Sequence, residues 1–156
     1  MIIKTTDTRI NRTGRPEMDL EEKITILGGT PLFTGLGRTE LASMAAWSSE
    51  ASFEKGQLIV SEGSAGGGLF IILRGRVQIV QRKSKPPKVI GELKAGDFFG
   101  ELSLIDGQAR SASVAAIEPT DCLLVSHVNF LDNLRKHPEI GIQLLRILAE
   151  RLRRSS

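Results

Sequence analysis

The sequence predicts an α+β fold that is mainly β: an antiparallel β-roll, a jelly-roll-like barrel, flanked by N-terminal and C-terminal helices. Three observations predict it. From Phe53 the apolar period changes from helical to strand-like, and six short segments follow. Glycines at Gly56, Gly63, Gly75, Gly91 and Gly96 punctuate those segments as turns do. Helix-period apolar stripes with capping residues stand before and after them. A chain of 156 residues suits a single domain whose core needs no metal or disulfide staple.

Residues 1–18 are polar and aperiodic and read as a flexible arm ahead of a domain at 19–156. Asp19 is the expected N-cap of a helix carrying Leu20, Ile24 and Leu27, stopped by Gly28 and Gly29. A short turn at 31–36 leads to a second helix starting near Arg38 or Thr39, with Leu41, Met44, Ala45 and Trp47 as packing positions; the helical part covers 19–48. The roll, 53–126, holds strands at 58–61, 69–73, 77–81, 89–93, 113–117 and 121–126. Arg74-Gly75 reads as a tight hairpin and Lys85-Pro86-Pro87 as a longer exposed one. Gly66-Gly67-Gly68 lacks the Gly-Lys-Ser/Thr of a triphosphate loop. The C-terminal helices cover 127–154. Ser126 caps a helix with Val128, Phe130, Leu131 and Leu134 that ends near His137-Pro138, and a final helix from Glu139 carries Ile140, Leu144, Leu145, Ile147, Leu148 and Leu152.

Composition narrows the function. Hydrophobic residues at 40% and charged residues at 25% match soluble globular proteins. Aromatic content of 4%, with no tyrosine, argues against stacking platforms for single-stranded nucleic acid. The apolar run Leu69 to Leu73 is too short to span a bilayer and the N-terminus lacks an apolar signal core, so a cytoplasmic protein with no membrane partner is expected. The lone Cys122 fits a reducing compartment and, set in an apolar strand, reads as a buried inert thiol. Net charge is +3, with Arg82, Lys83, Lys85 and Lys88 in one hairpin loop and Arg146, Arg151, Arg153 and Arg154 at the end of the last helix, where the helix dipole accounts for them. No direct DNA binding is expected. Only His127 and His137 occur, neither at metal-ligand spacing from a second histidine or cysteine, and no Gly-x-Ser-x-Gly elbow is present. Neither a metal nor an enzyme is expected.

The chemistry concentrates in Phe99 to Val114, FGELSLIDGQARSASV. Gly100 and Glu101 open a single helical turn through Leu102, Ser103 and Leu104, whose unpaired amides can point at an anion. Arg110 offers a charged planar fork and Ser111 a hydroxyl, a pair suited to a singly charged phosphodiester. Glu101 would repel that phosphate unless it binds something else, and a ribose hydroxyl is the obvious donor. Taken singly, Gly100 is a turn glycine, Glu101 a solvated carboxylate and Arg110 a surface cation. Together they describe a nucleotide site.

This stretch resembles the phosphate-binding cassette of the cyclic-nucleotide-binding domain family, whose Phe-Gly-Glu-Leu and Arg-(Ser/Thr/Ala)-Ala pattern is met by Phe99, Gly100, Glu101, Leu102, Arg110, Ser111 and Ala112. Gly107 to Ala112 looks most like the bacterial catabolite-activator branch of that family, and Ala109 departs from it where many members carry proline. The resemblance implies that Gly100, Leu102 and Ser103 cradle the cyclic phosphate. It implies that Glu101 accepts the ribose 2′-hydroxyl, that Arg110 pairs with the phosphate, and that Ser111 and Ala112 complete the donors. Ser155 and Ser156 fall where that branch has a Thr-Ser pair touching the adenine, and otherwise read as a frayed polar terminus. The ligand implied is cyclic AMP, with cyclic GMP open because a Ser111 hydroxyl can also meet guanine. The expected function is a stand-alone, non-catalytic receptor that signals by rearranging its terminal helices. That branch continues into a helix-turn-helix domain; this chain stops at Ser156, so a separate effector protein is expected to read the signal. The stripe Ile140, Leu144, Leu148 and Leu152 predicts a weak homodimer through the last helix. A protein-interaction scaffold with a degenerate, non-binding roll is the alternative, and a basic nucleic-acid-binding protein a third reading.

Overall fold

The structure is a computed structural model, described for residues 16–64 and 67–155. The arm expected at 1–18 lies largely outside those residues; at its end the Met18 amide donates to Glu50 Oε2 at 2.8 Å. Among the described residues eight strands and five helices follow: α1 Leu20–Gly28, α2 Arg38–Ala46, β1 Ser49–Phe53, β2 Leu58–Val60, β3 Gly68–Arg74, β4 Arg76–Gln81, β5 Lys88–Lys94, β6 Phe98–Phe99, α3 Glu101–Asp106, β7 Ser113–Ala116, β8 Thr120–Ser126, α4 His127–Lys136 and α5 Glu139–Ser155. A 3₁₀ turn at Pro31–Phe33 joins the first two helices. Among the described residues no helix is long and apolar enough to cross a membrane.

Local chemistry explains the helix ends. Asp19 and Glu22 form a reciprocal capping box, Glu22 N–H to Asp19 Oδ1 at 2.9 Å and Asp19 N–H to Glu22 Oε1 at 3.2 Å. Ser126 Oγ accepts from the Asn129 amide at 3.2 Å and starts α4, and Pro138 separates α4 from α5.

The strands form two antiparallel four-stranded sheets, ordered β1-β8-β3-β6 and β2-β7-β4-β5. The expected antiparallel roll flanked by helices is the fold observed. Two strands are additions: β1 begins at Ser49, in the unassigned stretch between the helical part ending at 48 and the roll starting at 53, and β6 is only two residues long, too short to show a period. Three other expectations are corrected. Arg74-Gly75 does not make a hairpin, because β3 and β4 belong to different sheets. Gly75, at φ +102°, turns the chain from one sheet into the other, and a side chain there would strike the Pro119 carbonyl and Thr120. Gly91 is not a turn residue; it pairs with Ile79 inside β5. Trp47 is no packing residue: it ends α2 and is 58% exposed, while Leu41, Met44 and Ala45 are buried as expected. The β4–β5 hairpin around Pro86-Pro87 forms as read.

Two cores result. The larger joins the helices to the first sheet through Leu27, Phe33, Met44, Leu69, Leu123, Phe130 and Ile140, all nearly inaccessible. Asn133, also buried, ties α4 to α2 by accepting from Ser43 Oγ while its own Nδ2 donates to the Asn129 carbonyl at 2.8 Å. The smaller core lies between the sheets and contains Phe70, Ile72, Val77, Phe99, Val114 and Cys122. It opens at one end into a cavity.

Candidate nucleotide-binding site

That cavity is lined by Phe99, Gly100, Glu101, Leu102, Ser103, Arg110, Ser111 and Ala112, with Val60, Ile79 and Val114. The eight cassette residues read from the sequence therefore meet around one opening. The three apolar wall residues come from β2, β4 and β7 of the second sheet, and nothing local in the sequence singles them out.

Gly100 caps α3 at φ +89°, and a Cβ there would collide with Arg110 Nη1 and the Gly68 carbonyl oxygen. Glycine at this position is what lets the guanidinium lie against the backbone. The first helical hydrogen bond of α3 runs from the Leu104 amide to the Gly100 carbonyl at 2.9 Å, so the amides of 101–103 precede the helical ladder at the cavity. Ser103 Oγ donates to the Gln108 carbonyl at 3.2 Å, which ties the two ends of the α3 turn together. Leu102 stands at the rim, 67% exposed.

Arg110 is buried. Its Nη2 donates to the Gly68 carbonyl at 3.0 Å and its guanidinium lies 5.8 Å from the centre of the Phe70 ring, itself stacked on Phe99. Backbone bonds to Gly63 and Ser64 pin the residue to the loop after β2. Among the described residues no carboxylate pairs with it. Desolvation pushes its pKa below the usual arginine value, the sign of a cation held away from water.

Glu101 is held from outside the cassette. Arg151 Nη1 on α5 donates to Glu101 Oε1 at 3.4 Å, and the Arg151 guanidinium lies over the Phe98 ring at 5.5 Å. The helix dipole is therefore not the whole account of Arg151, whose tertiary partner sits fifty positions away. His127, at the start of α4, holds the other end of the cassette: its Nδ1 shares a 2.7 Å hydrogen bond with the Leu104 carbonyl. Ser155 does not line the cavity; its hydroxyl donates back to the Arg151 and Leu152 carbonyls. Ser156 lies outside the described residues, as does Gly66 of the glycine triplet.

Away from this site Glu40, His137 and Glu139 bring ligand atoms within 4.8 Å of one another, a juxtaposition of two helix starts that linear spacing conceals. A hydrogen bond with Glu40 and one with its own backbone, aided by His137, hold the Glu139 carboxyl below the usual range. Cys122 is buried, and desolvation together with the Asp121 charge pushes its thiol up to about 12, in keeping with an inert thiol.

The model of the cyclic nucleotide-binding domain matches residues 50–137. The cyclic AMP receptor protein of Thermus thermophilus is 31% identical over 80% of this chain, and the chain spans 58% of that relative's length. A solved cyclic nucleotide-binding domain from Methylobacillus flagellatus superposes with a TM-score of 0.70 at 30% identity, covering 87% of this chain and 79% of that one. The N-terminal domain of a transcriptional regulator from Streptomyces coelicolor gives a TM-score of 0.75 at 28% identity, covering 83% and 92%. Since the match takes in over half of the chain, including every cassette residue, the protein belongs to the cyclic nucleotide-binding domain family.

Proposed function

We propose that this chain is a non-catalytic receptor module for cyclic AMP, working in the cytoplasm and passing its signal through α5 to a separate effector protein. The observation that carries the reading is Arg110: a buried guanidinium with no carboxylate partner among the described residues, at a cavity edged by helix-start amides. Burying a cation unpaired is costly, and a phosphodiester that enters the cavity supplies the missing charge. The name of the Thermus relative supports cyclic AMP as the nucleotide. Eight cassette residues around one opening argue against the degenerate scaffold. DNA contact is no part of the proposal.

The route to α5 is the Glu101–Arg151 pair. A ribose hydroxyl that donates to Glu101 reaches the same carboxylate that Arg151 holds, so ligand binding and the position of α5 share one group. Dimerisation takes a different face from the one expected. Ile140 and Leu144 are buried in the chain's own core, whereas Ile142, Leu145, Ala149 and Leu152, spaced by three and four, are all exposed. A weak dimer would use that seam.

Calorimetry with cyclic AMP and cyclic GMP on the purified chain tests the ligand. Saturable binding of cyclic AMP, tighter than of cyclic GMP, is the expected result. No binding of either nucleotide sinks the reading.

A further inference from the structure

We propose that the β4–β5 hairpin is a peripheral docking element for an anionic lipid bilayer. The hairpin tip carries Arg82, Lys83, Lys85 and Lys88, and no acidic residue occurs from 82 to 91. All four cations are exposed, and none forms an ion pair among the described residues. Arg82 meets an acid only through its backbone, the amide donating to Glu62 Oε1 at 2.7 Å.

A second observation is independent of charge. In a regular strand successive side chains point to opposite faces, so one of Val89 and Ile90 should turn inward. The register of β5 slips at that point: Gly91 pairs with Ile79 and Val89 with Val80, leaving Ile90 as the extra residue of a bulge. Both side chains are consequently exposed, Val89 by 55% and Ile90 by 47%, directly beside Lys88 and Pro87. β5 is also the outer strand of its sheet, so no neighbouring strand covers them.

Cations around a small apolar wedge at one end of the hairpin match a bilayer surface: lysines reach the anionic headgroups while the valine and isoleucine enter the acyl boundary. A nucleic-acid backbone would satisfy the cations and leave the wedge in water, and the hairpin has no aromatic side chain on which a base could stack. This is adsorption to a surface and requires no spanning helix. It revises the sequence expectation of no membrane partner.

The test is co-sedimentation of the whole chain with phosphatidylcholine vesicles, with and without phosphatidylserine. Binding should require phosphatidylserine and weaken as ionic strength rises. Each cation removed should weaken partitioning about fivefold, so Lys83→Gln with Lys85→Gln should lose about 25-fold. Val89→Ser with Ile90→Ser, unchanged in charge, should also bind several-fold more weakly. Arg153→Gln with Arg154→Gln, equal in charge change but at the end of α5, should stay within about twofold of the parent. The proposal is overturned if the chain ignores phosphatidylserine, or if the α5 variant loses as much as the hairpin variant. It is equally overturned if the Val89/Ile90 variant binds like the parent while duplex DNA displaces the chain from vesicles, which would make the hairpin a general polyanion surface. Circular dichroism checks the fold of each variant. Should one unfold, the lipid and salt dependence of the parent chain decide the matter.

Discussion

Two buried charges at different places in the roll are treated in opposite ways. Asp121 on β8, 5% exposed, accepts from Arg74 Nε at 3.0 Å and from Ser52 Oγ at 2.9 Å, so the fold itself satisfies the charge. Arg110, 9% exposed, has a carbonyl and an aromatic face but no carboxylate among the described residues. The first arrangement fixes strands β1, β3 and β8 to one another. The second leaves a charge with no ionic complement among the described residues. A buried ionic group that is complete within the chain contributes to stability, whereas one that is incomplete at a cavity has the character the proposed phosphate contact requires.

The sharpest way to break this contrast is Arg110→Ala. Cyclic AMP affinity measured by calorimetry should fall by about 2 to 5 kcal/mol, tens-fold to thousands-fold, because a charge-assisted and partly desolvated contact is lost. Urea denaturation of the apo protein should show no matching loss. An affinity like that of the parent would move Arg110 into the structural class.

Asp121→Ala should do the reverse. Stability should drop by about 2 kcal/mol as Ser52 and Arg74 lose their acceptor, with nucleotide affinity unchanged. Arg74 is about half exposed, which keeps the loss below that of a fully buried pair. If the midpoint of denaturation does not shift, the pair is ornamental.

Cys122, next to Asp121, sharpens the comparison through pH. The folded thiol keeps its proton to about pH 12, whereas the unfolded thiol loses it near 9.0. Its contribution is therefore complete below the unfolded value and is lost as pH rises from 9 toward 12. The parent should lose stability relative to Cys122→Ala by up to about 1.4 kcal/mol per pH unit in that window. Parallel stability curves for the two proteins would show that the thiol is not held neutral by burial.

The smallest effect concerns the link between the cavity and α5. Arg151→Gln should change cyclic AMP affinity by less than about tenfold, because the ion pair is partly exposed. In the parent, nucleotide binding should slow amide exchange in residues 149–155, and Arg151→Gln should abolish that slowing. Retention of that slowing in the variant would place the coupling elsewhere, with the His127–Leu104 bond as the next candidate.

Much of this molecule was legible along the chain because its determinants are local. Asp19 stands as N-cap directly before α1, Ser126 and Pro138 bound α4, and the apolar run of β3 marks a strand. The cassette was readable for the same reason: Gly100, Glu101, Arg110 and Ser111 lie within twelve residues, and their combined chemistry points to a phosphodiester with a ribose. Residues with distant partners were not readable. Gly75 looked like a hairpin because a glycine that turns between sheets has the same local signature as one that turns within a sheet. Trp47 follows Leu41, Met44 and Ala45 in the helical pattern of packing positions, yet α2 ends before it and leaves it exposed. Val60, Ile79 and Val114 gained their role only when three strands brought their apolar faces to one cavity, and Arg151 only when α5 laid it against Glu101. Sequence alone thus determined most of the elements and the candidate cassette, since backbone propensity, capping and motif spacing act over a few residues. Tertiary structure alone decided which strands pair, which buried cation has no carboxylate partner among the described residues and which arginine reaches the cassette, because each depends on distances between residues far apart in the chain.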